Sequence, residues 1–161
     1  MVTIDGIPAH PLVIHAVVVL LPLAALGTLA VAARPSWRRQ LGVPVLLLAL
    51  AGVAAVPVAV QTGEQLKAAL GGQNPLIDVH QARAGLLLPF AIAFLVLLAV
   101  TVLVGKRADR AEPGSDGGTT TATRVTIGSG VLAAVLGLVV LGLVVWIGHA
   151  GATAVWQGIG S

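Results

Sequence analysis

Four apolar stretches, roughly 12–33, 41–60, 84–104 and 125–148, alternate with short polar segments along the chain. Each holds about twenty residues, and at 1.5 Å per residue a helix of that length covers about 30 Å, the thickness of a bilayer's hydrocarbon core. In lipid a lone segment can satisfy its backbone only as a helix. The pattern therefore predicts an all-α integral membrane four-helix bundle, one domain over residues 1–161.

The polar segments differ in kind. Residues 34–40 form a tight turn holding Pro35, whereas 110–123 read as a flexible tether rich in Gly and Thr with nothing to bury. In the segment 61–79, residues 63–70 are expected to form a short interfacial helix ended by Gly71 and Gly72, with Asn74-Pro75 marking a turn before the third span. Pro22, Pro57 and Pro89 lie inside spans, and each leaves a carbonyl four residues earlier short of its N–H partner. Kinks at these positions are expected to splay the bundle and open a pocket at one end. A repeat is also visible, because His15 and His80 both precede a Leu-Leu-Pro-apolar-Ala run, centred on Pro22 and Pro89. That suggests a duplicated pair of helices.

Composition agrees with the membrane reading: 57% of residues are hydrophobic and 9% charged, against roughly a quarter charged in a soluble domain. The net charge of +3 does not point to nucleic acid, because the cations sit in short loops between spans. Arg34, Arg38 and Arg39 follow span one; Lys106, Arg107, Arg110 and Arg124 lie between spans three and four; only Lys67 and Arg83 lie elsewhere. The positive-inside rule then places the N- and C-termini outside the cytoplasm, in a multi-pass protein of the bacterial inner membrane. No positive segment precedes span one, so it is expected to be a retained helix and not a cleaved signal. Trp37, Trp146 and Trp156 fall near span ends, where indoles favour the headgroup level.

The chain has no cysteine, which excludes disulfides, iron–sulfur ligation and covalent haem attachment through thioethers. There is no phosphate-binding Gly-rich loop, no G-x-S-x-G elbow and no H-E-x-x-H zinc helix, so no catalytic residue is assigned. The glycines of span four miss the G-x-x-x-G spacing, and no charge lies deep enough in a span to relay ions.

The histidines carry the candidate chemistry. His10, His15, His80 and His149 all fall at the same, outer end of the predicted bundle. Ionisable groups in or against apolar helix ends are rare and mostly functional or paired. Three readings follow. The first is b-type haem held by two imidazoles, His15 with His80 or His149, with His10 nearby and with Arg83 and Lys67 placed for the propionates. The second is zinc or copper held by three of His10, His15, His80 and His149 plus water or a carboxylate, with Glu64 and Asp78 as oxygen donors or as partners of the ligands. The third has no cofactor: the histidines organise the outer loops of a structural or partner-binding subunit. Under the first reading the chain is an electron-transfer protein with a redox partner in the same bilayer and no catalytic activity of its own.

The segment Gly6-Ile7-Pro8-Ala9-His10-Pro11-Leu12-Val13-Ile14-His15 resembles the opening His-Pro-x-x-x-His of the small bacterial membrane proteins known as DUF2231. Thr62-Gly63 and His80 are similar to its second and third signatures, and Gly148-His149-Ala150-Gly151 to its closing segment, where Ala152 and Trp156 replace the usual Gly and Tyr. The resemblance runs over essentially the whole chain. It implies a four-helix integral membrane protein with no established activity, and its His-bearing layout suggests a tie to di-haem membrane cytochromes.

Overall fold

The computed structural model describes residues 2–72, 74–110 and 118–156. It opens on a feature that the spans do not foretell: a two-stranded antiparallel hairpin of β1 (Thr3–Ile4) and β2 (Ile7–Pro8), pairing Thr3 with Pro8 and Ile4 with Ile7. The turn is Asp5-Gly6, with φ of 48° and 80°. Positive φ at both central residues is what a type I′ hairpin turn demands, and Asp-Gly supplies it at least cost. The hairpin is tied to the bundle through the Val2 N–H, which donates to Gln65 Oε1 at 3.0 Å, and the Ala9 N–H, which donates to the Val2 carbonyl at 3.0 Å.

Among the described residues five helices follow: α1 (Ala9–Ala33), α2 (Pro35–Ala69), α3 (Pro75–Ala84), α4 (Leu87–Ala108) and α5 (Gly118–Trp156). With α3 and α4 taken together as one crossing, four helical segments are long and apolar enough to cross a membrane. A single extended residue, Arg34, separates α1 from α2, and Pro35 takes the first helical position, where its missing N–H costs nothing. At 35 residues α2 is about 52 Å long, so it outruns the bilayer core. The expected short helix over 63–70 is not separate: it is the last two turns of α2, since nothing between Val60 and Leu70 stops a helix. Gly71 and Gly72 stop it, at φ of 92° and 76°, with Gly72 N–H donating back to the Lys67 carbonyl.

Asn74 starts α3, its Oδ1 accepting from the Leu76 N–H at 2.9 Å with Pro75 in the first turn. Asn74→Ala is expected to cost about 1 kcal/mol, read as a lower midpoint of thermal unfolding in detergent. Between α3 and α4 the chain turns at Gly85–Leu86. The cause is Pro89, which removes an N–H and crowds the Gly85 carbonyl four residues back. So His80 lies on a short helix of its own, ahead of the span it was expected to open. Pro22, Pro57 and also Pro44 sit inside unbroken helices. Of the expected 110–123 tether, residues 111–117 lie outside the described residues, while α5 already begins at Gly118.

The helices pack in the cyclic order α1, α2, α4, α5, with α3 lying against α5. The core is small and apolar: Leu21, Ala24, Phe94, Leu98, Val102 and Val140 are fully buried. Large apolar side chains such as Leu47, Val96 and Val145 are more than half exposed. In water such a surface would be untenable, and in a bilayer it is the solvent-matched one.

Candidate functional site: a histidine-lined cavity

At the end where α1 and α3 begin and α2 and α5 finish, the bundle opens into a cavity of about 580 Å³. That is within the range of cofactor and small-molecule sites. Its walls are almost wholly apolar, and the polar exceptions are few: His10, His15, His80, Glu64 and Gln81.

His10 and His80 are both half-buried, and each is held by the neighbouring helix. The Nδ1 of His10 lies 2.9 Å from the Ala59 carbonyl of α2, and the Nδ1 of His80 lies 3.0 Å from the Ile147 carbonyl of α5. A carbonyl only accepts, so in each ring Nδ1 carries the proton and donates it. The lone pair is left on Nε2, for which no partner is seen among the described residues. Orientation of an imidazole by a backbone carbonyl on its second nitrogen is the usual support of a metal-ligating histidine. Both rings line the same cavity.

Glycines make room for both rings. A Cβ on Gly63 would lie 2.9 Å from Cε1 of His10, and one on Gly151 3.1 Å from Cε1 of His80. Sequence reasoning did not assign these two glycines a role, although both sit in the segments that carry the family resemblance.

The other candidates fall into two groups. His15 lines the cavity but is exposed, and its Nδ1 donates within its own helix to the Pro11 carbonyl. Glu64 is at the cavity edge and exposed. His149 is exposed and off the lining, on the face of α5 away from Gly148 and Gly151. Arg83 is also off the lining, its guanidinium 4.3 Å from the centroid of the Trp146 ring. Lys67 pairs with Asp78 and donates to Gln81 Oε1 at 2.9 Å, tying the end of α2 to α3. Among the described residues, no group of three or more His, Cys, Asp or Glu side chains is arranged to hold a metal ion.

At the opposite end lies a feature missed in the sequence. Arg38, in a loop by its sequence pattern, is inside α2 and only 8% exposed. Its Nη2 donates to Asp109 Oδ1 at 2.8 Å, and both side chains are about nine-tenths buried. Arg38 Nε and Asp109 Oδ2 are buried without hydrogen-bond partners among the described residues. The stem of Arg38 crosses α4 at Gly105, where any Cβ would overlap Nε. The available signal was Asp109 itself, a carboxylate set among Lys106, Arg107 and Arg110.

Fold and site together define a four-helix membrane protein with a histidine-lined cavity at one end of the bundle. The chain belongs to the family described as predicted membrane protein (DUF2231), whose family model matches residues 6–159. No curated protein and no solved structure matches it.

Proposed function

We propose that this chain is a b-type haem protein of the bacterial inner membrane, in which His10 and His80 would hold the haem iron, with electron transfer to a membrane redox partner as its work. The observation that carries the reading is the matched pair of imidazoles: they come from different helices, each Nδ1 is fixed on a carbonyl, and each Nε2 lone pair is left for a ligand in an apolar cavity. When bound, the haem would supply a one-electron couple. The protein's residues orient the rings, exclude water with the apolar walls and set the potential through burial.

The reading prefers His10 to the expected His15, since His15 is braced only by its own helix and His149 is off the cavity lining. Arg83, three residues beyond His80 on the same helix and without a carboxylate partner among the described residues, is the cation left for a propionate; Lys67 is already engaged by Asp78. The termini are assigned to the outside because the basic residues at the α1–α2 and α4–α5 ends lie opposite the cavity.

Haemin titration of the detergent-purified protein tests the reading. It predicts a saturable Soret band at one haem per chain, retained in His149→Ala. Absence of saturable binding overturns it. One observation favours a rival: the same two bonds pin α1 to α2 and α3 to α5, as the histidines of a purely structural subunit would. That rival predicts a colourless protein in which His10→Ala and His80→Ala lower stability alone.

A further inference from the structure

The two histidine contacts share one geometry, to which His10 alone adds a longer contact of 3.4 Å with Thr62 Oγ1. In each, the ring rests on a glycine, Gly63 or Gly151, and donates to the carbonyl four residues before that glycine, Ala59 or Ile147. In a regular helix this is the carbonyl that already accepts the glycine's own N–H. The coincidence extends through the bundle. A shift of 70 residues, from His10 to His80, carries the buried Val17, Leu21, Ala24, Thr28 and Val31 of α1 onto the buried Leu87, Ala91, Phe94, Leu98 and Thr101 of α4. A shift of 88 residues, from Gly63 to Gly151, carries the buried Gly42, Ala49, Gly52 and Val56 of α2 onto the buried Gly130, Gly137, Val140 and Val144 of α5.

Helical periodicity alone would match burial at any shift of seven, so burial fixes only the phase. The register comes from contacts between helices. A Cβ on Gly42 would meet Val102 at 3.2 Å, and one on Gly130 would meet the Ala32 Cβ at 3.6 Å; Ala32 and Val102 are themselves 70 apart. The cavity obeys the same rule, since Val56 and Val144, Ala59 and Ile147, and Gly63 and Gly151 all line it. The repeat expected from His15 and Pro22 is therefore real in kind but different in register: the partner of His80 is His10, and His15 falls on Gly85.

We infer that the cavity consists of two equivalent half-sites, each a histidine, a glycine and a helix carbonyl, and that Gly63 and Gly151 are positioning residues that let the imidazoles reach those carbonyls and present Nε2 to one shared ligand. The inference rests on the haem reading for the ligand's identity, not for the half-sites themselves. A methyl group at Gly63 would force the His10 ring to shift against the Ala59 carbonyl and leave His80 in place, and one at Gly151 would displace the His80 ring by a few tenths of an ångström and leave His10 in place. Gly142, which has open space around it, is the control.

The test is nitrogen NMR of histidine-labelled protein in detergent, without and with haemin, for the wild type and for Gly63→Ala, Gly151→Ala and Gly142→Ala. Without haemin, His10 and His80 are expected to show the Nδ1–H form. Gly63→Ala should move only the His10 signals and Gly151→Ala only those of His80, and Gly142→Ala should move neither. With haemin, the first two variants should bind about 10–100-fold more weakly, the usual cost of disturbing the support of a metal ligand, and by similar factors. Signals of His10 and His80 unmoved by their glycine variants overturn the half-sites. Local shifts as expected in a protein that takes up no haemin leave the half-sites standing and overturn the haem reading instead.

Discussion

Asp109→Ala is expected to destabilise the protein by about 3–5 kcal/mol, the cost of leaving a buried charge unpaired. With Asp109 gone the Arg38 guanidinium stays enclosed by α2, α4 and α5 without a carboxylate. Arg39, which is largely exposed, lies 3.9 Å from the same Asp109 oxygen and forms a second, longer ion pair with it. Reversible unfolding in mixed micelles measures the loss. Arg38→Met with Asp109→Leu should recover most of it, because replacing both buried partners by apolar groups removes the orphan along with the pair. An Asp109→Ala midpoint equal to that of the wild type would show that the pair is solvated and does not brace the bundle. Gly105→Ala should act in the same direction, because its methyl group displaces the Arg38 stem.

The second large effect belongs to the cavity. His10→Ala and His80→Ala are each expected to abolish the six-coordinate, low-spin haem spectrum, and the double variant to abolish haem binding altogether. His15→Ala should retain the low-spin spectrum, because its ring is held only by the Pro11 carbonyl of its own helix and has no counterpart across the cavity. Absorbance and electron paramagnetic resonance of the oxidised proteins distinguish these cases. Loss of the low-spin signal in His15→Ala with retention in His10→Ala would exchange the two assignments.

The sequence makes the four crossings legible because lipid imposes one rule on every span, a long apolar run without backbone partners outside itself. It also makes the end-to-end asymmetry legible: histidines at one end, seven Lys and Arg at the other. The boundaries are less visible. The extension of α2 to Ala69 and the detachment of α3 depend on how far a helix continues once it leaves the apolar zone, and that was decided by Gly71 with Gly72 and by Pro89. The Asp5-Gly6 hairpin was readable from the flanking Ile4 and Ile7, but next to a transmembrane pattern a six-residue hairpin was overlooked.

Within the site, the end of the bundle at which the histidines gather was legible and their facing was not. His149 is one residue beyond Gly148, which lines the cavity, and at about 100° per residue one step is enough to turn a side chain away from it. The choice of His10 over His15 depends on a carbonyl 49 residues away, a contact with no local signature. The burial of Arg38 likewise requires Gly105 and Asp109 on another helix; charge pattern alone placed it in solvent.

The central claim is tested most directly by the air-oxidised and dithionite-reduced absorbance spectra of the full chain, purified in detergent after expression with haem supplementation. The account predicts a low-spin Soret band that sharpens and shifts on reduction, with a distinct reduced α band. A flat visible spectrum from well-folded protein would contradict it, and elemental analysis of that same sample would then decide between a metal site and a structural histidine pair.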